Sequence, residues 1–132
     1  MNAVILVSAG ELVDKITILE IKKARIKDKT KLRYINKELK LLQSSLSVIL
    51  KENRSIQKDV LRLKKNLFAI NVQLWNIENA IRKLEADKDF GKKFIDYARK
   101  VYLTNDKRSA LKSEINGLFG SSINEVKEYS NY

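Results

Sequence analysis

The chain has no cysteine, no histidine and no proline, and only four glycines in 132 residues. Without cysteine there is no disulfide and no thiol nucleophile, and without either cysteine or histidine the usual zinc ligand sets cannot be built. Lack of histidine also removes the most common general base. With so little proline and glycine the chain has few residues suited to tight turns, which argues against sandwiches and barrels, where a turn is needed every 8–12 residues. Aromatic residues make up 8% of the sequence. What is present is 44% apolar and 33% charged residues, too apolar a mixture for a disordered chain. No apolar run approaches the roughly 20 residues of a membrane helix. The longest near the N-terminus, 3–7, is too short and lacks the basic flank of a secretion signal. A cytoplasmic protein without membrane insertion is expected, folded as a single helical domain over 1–132.

The formal charge is +11 and it is concentrated. Residues 21–66 hold fifteen bases and four acids, so this third of the chain accounts for the whole excess. A field of that kind attracts polyanions such as nucleic acid, an acidic protein or an anionic membrane surface, with Lys37, Lys40 and Arg54 as representative contacts; the other reading is a solvated lysine-rich helical face. Tyr34 is the lone aromatic in 27–66. That sparsity favours contact with a phosphate backbone over base stacking if nucleic acid is the partner.

The clearest pattern runs from Leu32 to Leu84. Leu32, Ile35, Leu39, Leu42, Leu46, Ile49, Asn53, Ile56, Val60, Leu63, Leu67, Ile70, Leu74, Ile77, Ile81 and Leu84 alternate at spacings of 3 and 4, with Asn53 the one polar member. This is coiled-coil periodicity. The flanking apolar residues change sides near Asn53: Tyr34, Leu41 and Val48 before it, Leu61, Phe68 and Trp75 after it. The switch predicts a hairpin at about 51–55, with Ser55 as N-cap of the second arm, in preference to one unbroken rod. Ser8 and Glu11 form a capping box for an earlier helix whose apolar residues lie on two sides, as in a helix sandwiched between partners. The expected fold is an all-α antiparallel helical bundle with a long coiled-coil-like hairpin. Its helices fall near 8–27, 31–51, 55–86, 89–118 and 122–129, with a short extended segment at 3–7 that is either a lone strand or an apolar extension lying on the helices. Asp89 serves as an N-cap, Thr104–Asp106 as a possible kink, Gly120 as a helix stop, and Tyr129 and Tyr132 lie in the tail.

Three stretches resemble the motifs of a family of small bacterial and phage proteins of unknown function. They are Gly10-Glu11-Leu12-Val13-Asp14-Lys15-Ile16-Thr17-Ile18-Leu19-Glu20-Ile21-Lys22, then Leu74-Trp75-x-Ile77-Glu78, then Phe94-Ile95-x-x-Ala98-Arg99-x-Val101-Tyr102 with Asn105-Asp106-x-Arg108, and Glu114-Ile115-Asn116 and Gly120-Ser121 also fit. The resemblance spans most of the chain, is loosest over 27–73, and departs at Asn79, where an acid would be expected. It implies an all-helical domain and no particular activity.

Candidate functional residues follow from charge placed at packing positions. Asn71, Trp75, Glu78, Arg82 and Glu85 share one face, the last long helix contributes Arg99, Asn105 and Arg108, and the sandwiched first helix contributes Asp14, Lys15 and Glu20. Polar and ionic groups between packed helices must pair or bind something. One reading is a structural ion-pair network; the other is a site for an anionic small molecule such as a phosphate or sugar phosphate. The acid pairs Glu11/Asp14 and Glu125/Glu128 have a spacing seen in magnesium sites, but both open capping boxes. No cofactor motif and no metal site is expected. The long seam points first to a non-enzymatic interaction or assembly module, a homo-oligomer or a binder of another helical protein. An anion-binding enzyme or sensor is second, and a sequence-neutral nucleic-acid binder third.

Overall fold

Each helix begins where local chemistry allows it. Ser8 Oγ accepts from the Glu11 amide at 3.1 Å and starts α1, Ala9–Arg25. Ile26 leaves the helical region, and two residues later Asp28 Oδ1 accepts from the Lys31 amide at 2.9 Å to start α2, Lys29–Glu52. At Asn53 the backbone turns away (φ −132°, ψ 54°), and the Asn53 side-chain amide closes the end of α2 on the Ile49 carbonyl at 2.8 Å. A single 3-10 turn, Arg54–Ile56, leads into α3, Gln57–Ala86. After the turn at 87–91, in which Lys88 takes a left-handed conformation, α4 runs unbroken from Lys92 to Phe119. Gly120, also left-handed at φ 61°, ends it: the Ser121 amide reaches the Asn116 carbonyl at 2.9 Å and the Gly120 amide the Gly117 carbonyl at 3.3 Å. That pair of bonds is the Schellman stop, which glycine accommodates best.

The computed structural model describes residues 1–130. Among these there is no strand, and no helix is long and apolar enough to cross a membrane. Every one of the sixteen seam positions is turned at least partly inward. They do not wind α2 and α3 into a coiled coil, however. α1 packs against all three other helices, α2 rests mainly on α1, and α3 makes its longest pairing with α4. Leu12, Val13, Ile16 and Leu19 of α1 join Ile35, Leu39, Leu46 and Leu50 of α2, Val60, Leu63 and Leu67 of α3 and Ile115 of α4 in one apolar cluster. The two-sided apolar surface of α1 fills the space that a coiled-coil hairpin would close. The chain does reverse at 53–56, because Asn71 bonds to Asp14 in the middle of α1. α1 is folded back on α2 through the three-residue link 26–28, and a straight rod at 1.5 Å per residue would carry Asn71 tens of ångströms from it.

Five further expectations need correction. Ser55 caps nothing; it lies inside the 3-10 turn. Asp89 is not the N-cap of α4, which starts three residues later, although its Oδ1 accepts from the Gly91 amide at 3.1 Å. No kink occurs at 104–106, since Thr104 is buried on the inner face of an intact helix. The segment 122–129 is not helical. Its capping acid, Glu125, reaches across to Lys112 instead, and Asn124 accepts from the Asn116 amide at 2.9 Å. Isolated helices this short are marginal in water, so two polar contacts back to α4 outweigh the capping box. The 3–7 run is neither strand nor packed extension, with Val4, Ile5 and Leu6 exposed. Tyr132 lies outside the described residues.

Candidate ligand site between three helices

Gly10, Asp14, Thr17 and Ile21 follow at spacings of 4, 3 and 4 on α1, and all four are buried. This stripe faces α3 and α4 and is mostly not apolar. Asp14 is fully buried, and its carboxylate takes a bidentate bond from Arg108 of α4, Nε to Oδ1 at 2.8 Å and Nη2 to Oδ2 at 2.5 Å. From α3, Asn71 donates to Asp14 Oδ1 at 3.0 Å and to Thr17 Oγ1 at 2.8 Å, while the Thr17 hydroxyl donates to the Asp14 carbonyl at 2.8 Å. The arrangement joins three helices. A planar guanidinium matched to a carboxylate is the strongest form such a bond takes. The hydrogen bonds to Asp14 hold the Arg108 guanidinium above its ordinary pKa, against the opposing effect of burial.

One helical turn further along α4 a second ion pair repeats the theme. Lys112 lies 2.7 Å from Glu11 of α1 and 3.1 Å from Glu125 of the tail. Burial works to lower its pKa, but the bonds to the two carboxylates outweigh it and the net shift is upward. A turn beyond that, Asn116 Oδ1 accepts from the Gly10 amide at 2.6 Å. Here α1 and α4 approach so closely that a Cβ on Gly10 would sit 2.7 Å from Asn116 Oδ1 and would also collide with the Lys112 carbonyl.

Arg108 is only partly covered, and its outer side forms one wall of an open cavity of about 430 Å³ between α1, α3 and α4. Ile18, Ile21, Leu74 and the half-buried Trp75 supply the apolar lining, and Asn71, Asn79 and Asn105 supply amides. Glu78 and Arg82 stand at its exposed side, paired with each other at 3.4 Å. The size falls in the range of small-molecule sites, and an apolar lining with a few fixed polar groups is their usual make-up.

Of the residues singled out from the sequence, Asn71, Trp75, Glu78, Arg82, Asn105 and Arg108 line this cavity and Asp14 lies directly behind it. The others are elsewhere. Lys15 and Arg99 are exposed, and Glu20 pairs with Lys64 at 2.9 Å. Lys37, Lys40 and Arg54 are surface residues, as a basic face requires. The expected network centred on Glu78 and Arg82 is not formed. The two side chains are 52% and 79% exposed, and their bond is an i, i+4 pair on one helix; the cation that reaches Asp14 of α1 is Arg108. Thr17, Lys112 and Asn116 were not anticipated, and Asn71 was placed on the stripe without its central role. The 4, 3, 4 spacing from Gly10 to Ile21 is the signal that marks Asp14 and Thr17 as inward-facing. Glu11 and Asp14 are both spent on cations, and among the described residues no group of three acids is arranged to hold a metal.

Neither family models, curated proteins nor solved structures provide a match to this chain.

Proposed function

We propose that the chain is a helical ligand-binding module whose site is the cavity between α1, α3 and α4. The observation that carries this reading is the Arg108 guanidinium, pinned from behind by a fully buried carboxylate and presented at the wall of a cavity lined by three helices. A buried ion pair is weak support for stability by itself, so its value lies in fixing geometry. With Arg108 and Arg82 as the cations in reach, and Trp75 beside three amides, the best-suited ligand is a small anionic molecule with an apolar or flat face, such as a phosphate or sugar phosphate. No nucleophile with an adjacent base lines the cavity, so binding is the activity proposed.

Trp75 is the one tryptophan of the chain, so its emission reports this site directly. Titration with inorganic phosphate and a panel of sugar phosphates should give a saturable change in Trp75 emission. Arg82→Gln, an exposed substitution, should weaken it at least tenfold. Absence of any saturable change across the panel, or an Arg82→Gln protein that titrates like the parent, would refute the proposal.

A second reading, self-association or docking to another helical protein in the cytoplasm, has its own support. The accessible surface is 9744 Å². A compact monomer of 15.3 kDa exposes about 7,100 Å². Part of the excess lies in the extended terminal segments, and part in apolar residues left outside on the helices. Light scattering at micromolar concentration tests the homo-oligomer. A mass above 15.3 kDa is the expected result for it, and a monomer at all salt concentrations would exclude it.

A further inference from the structure

The outer face of α2 carries apolar and charged residues that are both ordered along the helix and both exposed. Tyr34, Leu41 and Val48 recur every seven residues and are 74%, 59% and 56% exposed. At 100° per residue they form a single stripe, well over 90° around the helix from the core residues Ile35, Leu39 and Leu46. Over fourteen residues the stripe is about 21 Å long. Arg33, Lys37, Lys40 and Lys51 follow it along one flank, all exposed and without an ion-pair partner among the described residues. Glu38 and Glu52 lie off that flank. Because α2 rests mainly on α1, this side is left exposed among the described residues.

We infer that this face docks an acidic amphipathic helix of a partner protein. The inference rests on the association reading above and is independent of the ligand cavity. Heptad-spaced anchors are what a second helix reads when it lies along the first. The cationic flank sets the sign of the partner: carboxylates beside its apolar stripe would meet Lys37 and Lys40, which both steers the encounter and fixes orientation. A second copy of this chain fits less well. Each copy carries +11, and stacking α2 on α2 in antiparallel fashion sets the two cationic flanks against each other. A membrane surface would accept the charge, but three apolar side chains on a helix held to its own core offer little to insert.

The test uses the whole 132-residue chain and a designed 21-residue peptide, an acidic amphipathic helix with leucines in heptad register. A scrambled peptide of equal composition, whose leucines share no face, serves as control. Fluorescence anisotropy should show binding of the first peptide, at least tenfold weaker binding of the scrambled one, and weakening with added salt. Leu41→Ser, and separately Lys37→Glu with Lys40→Glu, should each reduce affinity tenfold or more while the melting temperature stays at the parental value, since all three side chains are exposed. Equal binding of both peptides, or variants that bind like the parent, overturns the inference. So does a doubled mass in light scattering that Leu41→Ser returns to monomer, which makes the second copy the occupant and leaves the association reading standing. Binding to phosphatidylserine vesicles or duplex DNA without binding to the peptide overturns it in favour of a lipid or nucleic-acid surface. A monomer that binds none of these probes removes both the inference and the association reading, without touching the ligand cavity.

Discussion

Replacing Arg108 by methionine is the most demanding check on the structure. Methionine preserves much of the side-chain length and removes both bonds to Asp14, whose carboxylate is then left fully buried with one donor, the Asn71 amide at 3.0 Å. Breaking a buried pair by removing one partner costs about 3–5 kcal/mol, because the remaining charge has lost its compensation. Arg108 lies near the surface side of the pair and water can enter where it stood, so the lower end of that range is expected. For 132 residues the entropy of unfolding is about 0.28 kcal/mol/K, which turns a loss of about 3 kcal/mol into a fall of about 11 °C in melting temperature. The companion variant is Asp14→Leu with Arg108→Met. Asn71 then keeps its bond to Thr17 at 2.8 Å, the Thr17 hydroxyl keeps the carbonyl of residue 14, and no unpaired charge remains. Most of the lost stability should return. Arg82→Met is the control, since an exposed i, i+4 pair is worth about 0–1 kcal/mol. Thermal and urea melts of the four proteins decide the matter. An Arg108→Met protein as stable as the Arg82→Met control would refute the buried-pair argument, and so would a double variant no more stable than the single.

Other changes probe other contacts. Gly10→Ala should destabilise by about 1–3 kcal/mol or more in urea, because the neighbours of the added methyl include the α4 backbone at Lys112, which cannot yield as a side-chain tip can. Leu67→Ala, at a fully buried seam position, should cost about 2–5 kcal/mol by the same measurement, whereas Leu61→Ala on the exposed flank should cost far less. The raised pKa of Lys112 has a definite pH signature. A lysine whose folded pKa exceeds its ordinary value of 10.5 stabilises the fold fully below that value and loses the contribution as pH rises through the folded pKa. Stability followed from pH 8 to 12 should therefore drop above about 10.5 more steeply in the parent than in Lys112→Met.

The all-helical architecture was legible in the sequence because helix formation and burial leave periodic marks within a few residues of each other. Ser8 as N-cap, Gly120, and the sixteen seam positions act through neighbours no more than a turn or two away and hold in the fold, whereas the other half of the capping box does not, since the Glu11 carboxylate goes to Lys112. The reversal near Asn53 was legible for the same reason, as a local change in which side carries the extra apolar residues. Local signals also mislead where a distant group competes: Ser122 and Glu125 have the pattern of a helix start, yet Glu125 is taken by Lys112 thirteen residues away.

What only the tertiary structure decided is which face of which helix meets which. The periodicity of Leu32–Leu84 says that a seam is buried but not what buries it, and the answer is the two-sided α1 and then α4, not a coiled coil of α2 with α3. The same holds for the charges. Arg82 and Arg108 have equal claims in the sequence, and Arg82 even has the better local partner, Glu78, four residues before it. Asp14 and Arg108 are 94 residues apart, and Asp14 and Asn71 are 57. Nothing within a few turns of either end encodes such a pairing. It is fixed by the approach of α1 to α4 at Gly10, where the absence of a side chain lets two backbones close in and brings a buried carboxylate within reach of one arginine and not the other.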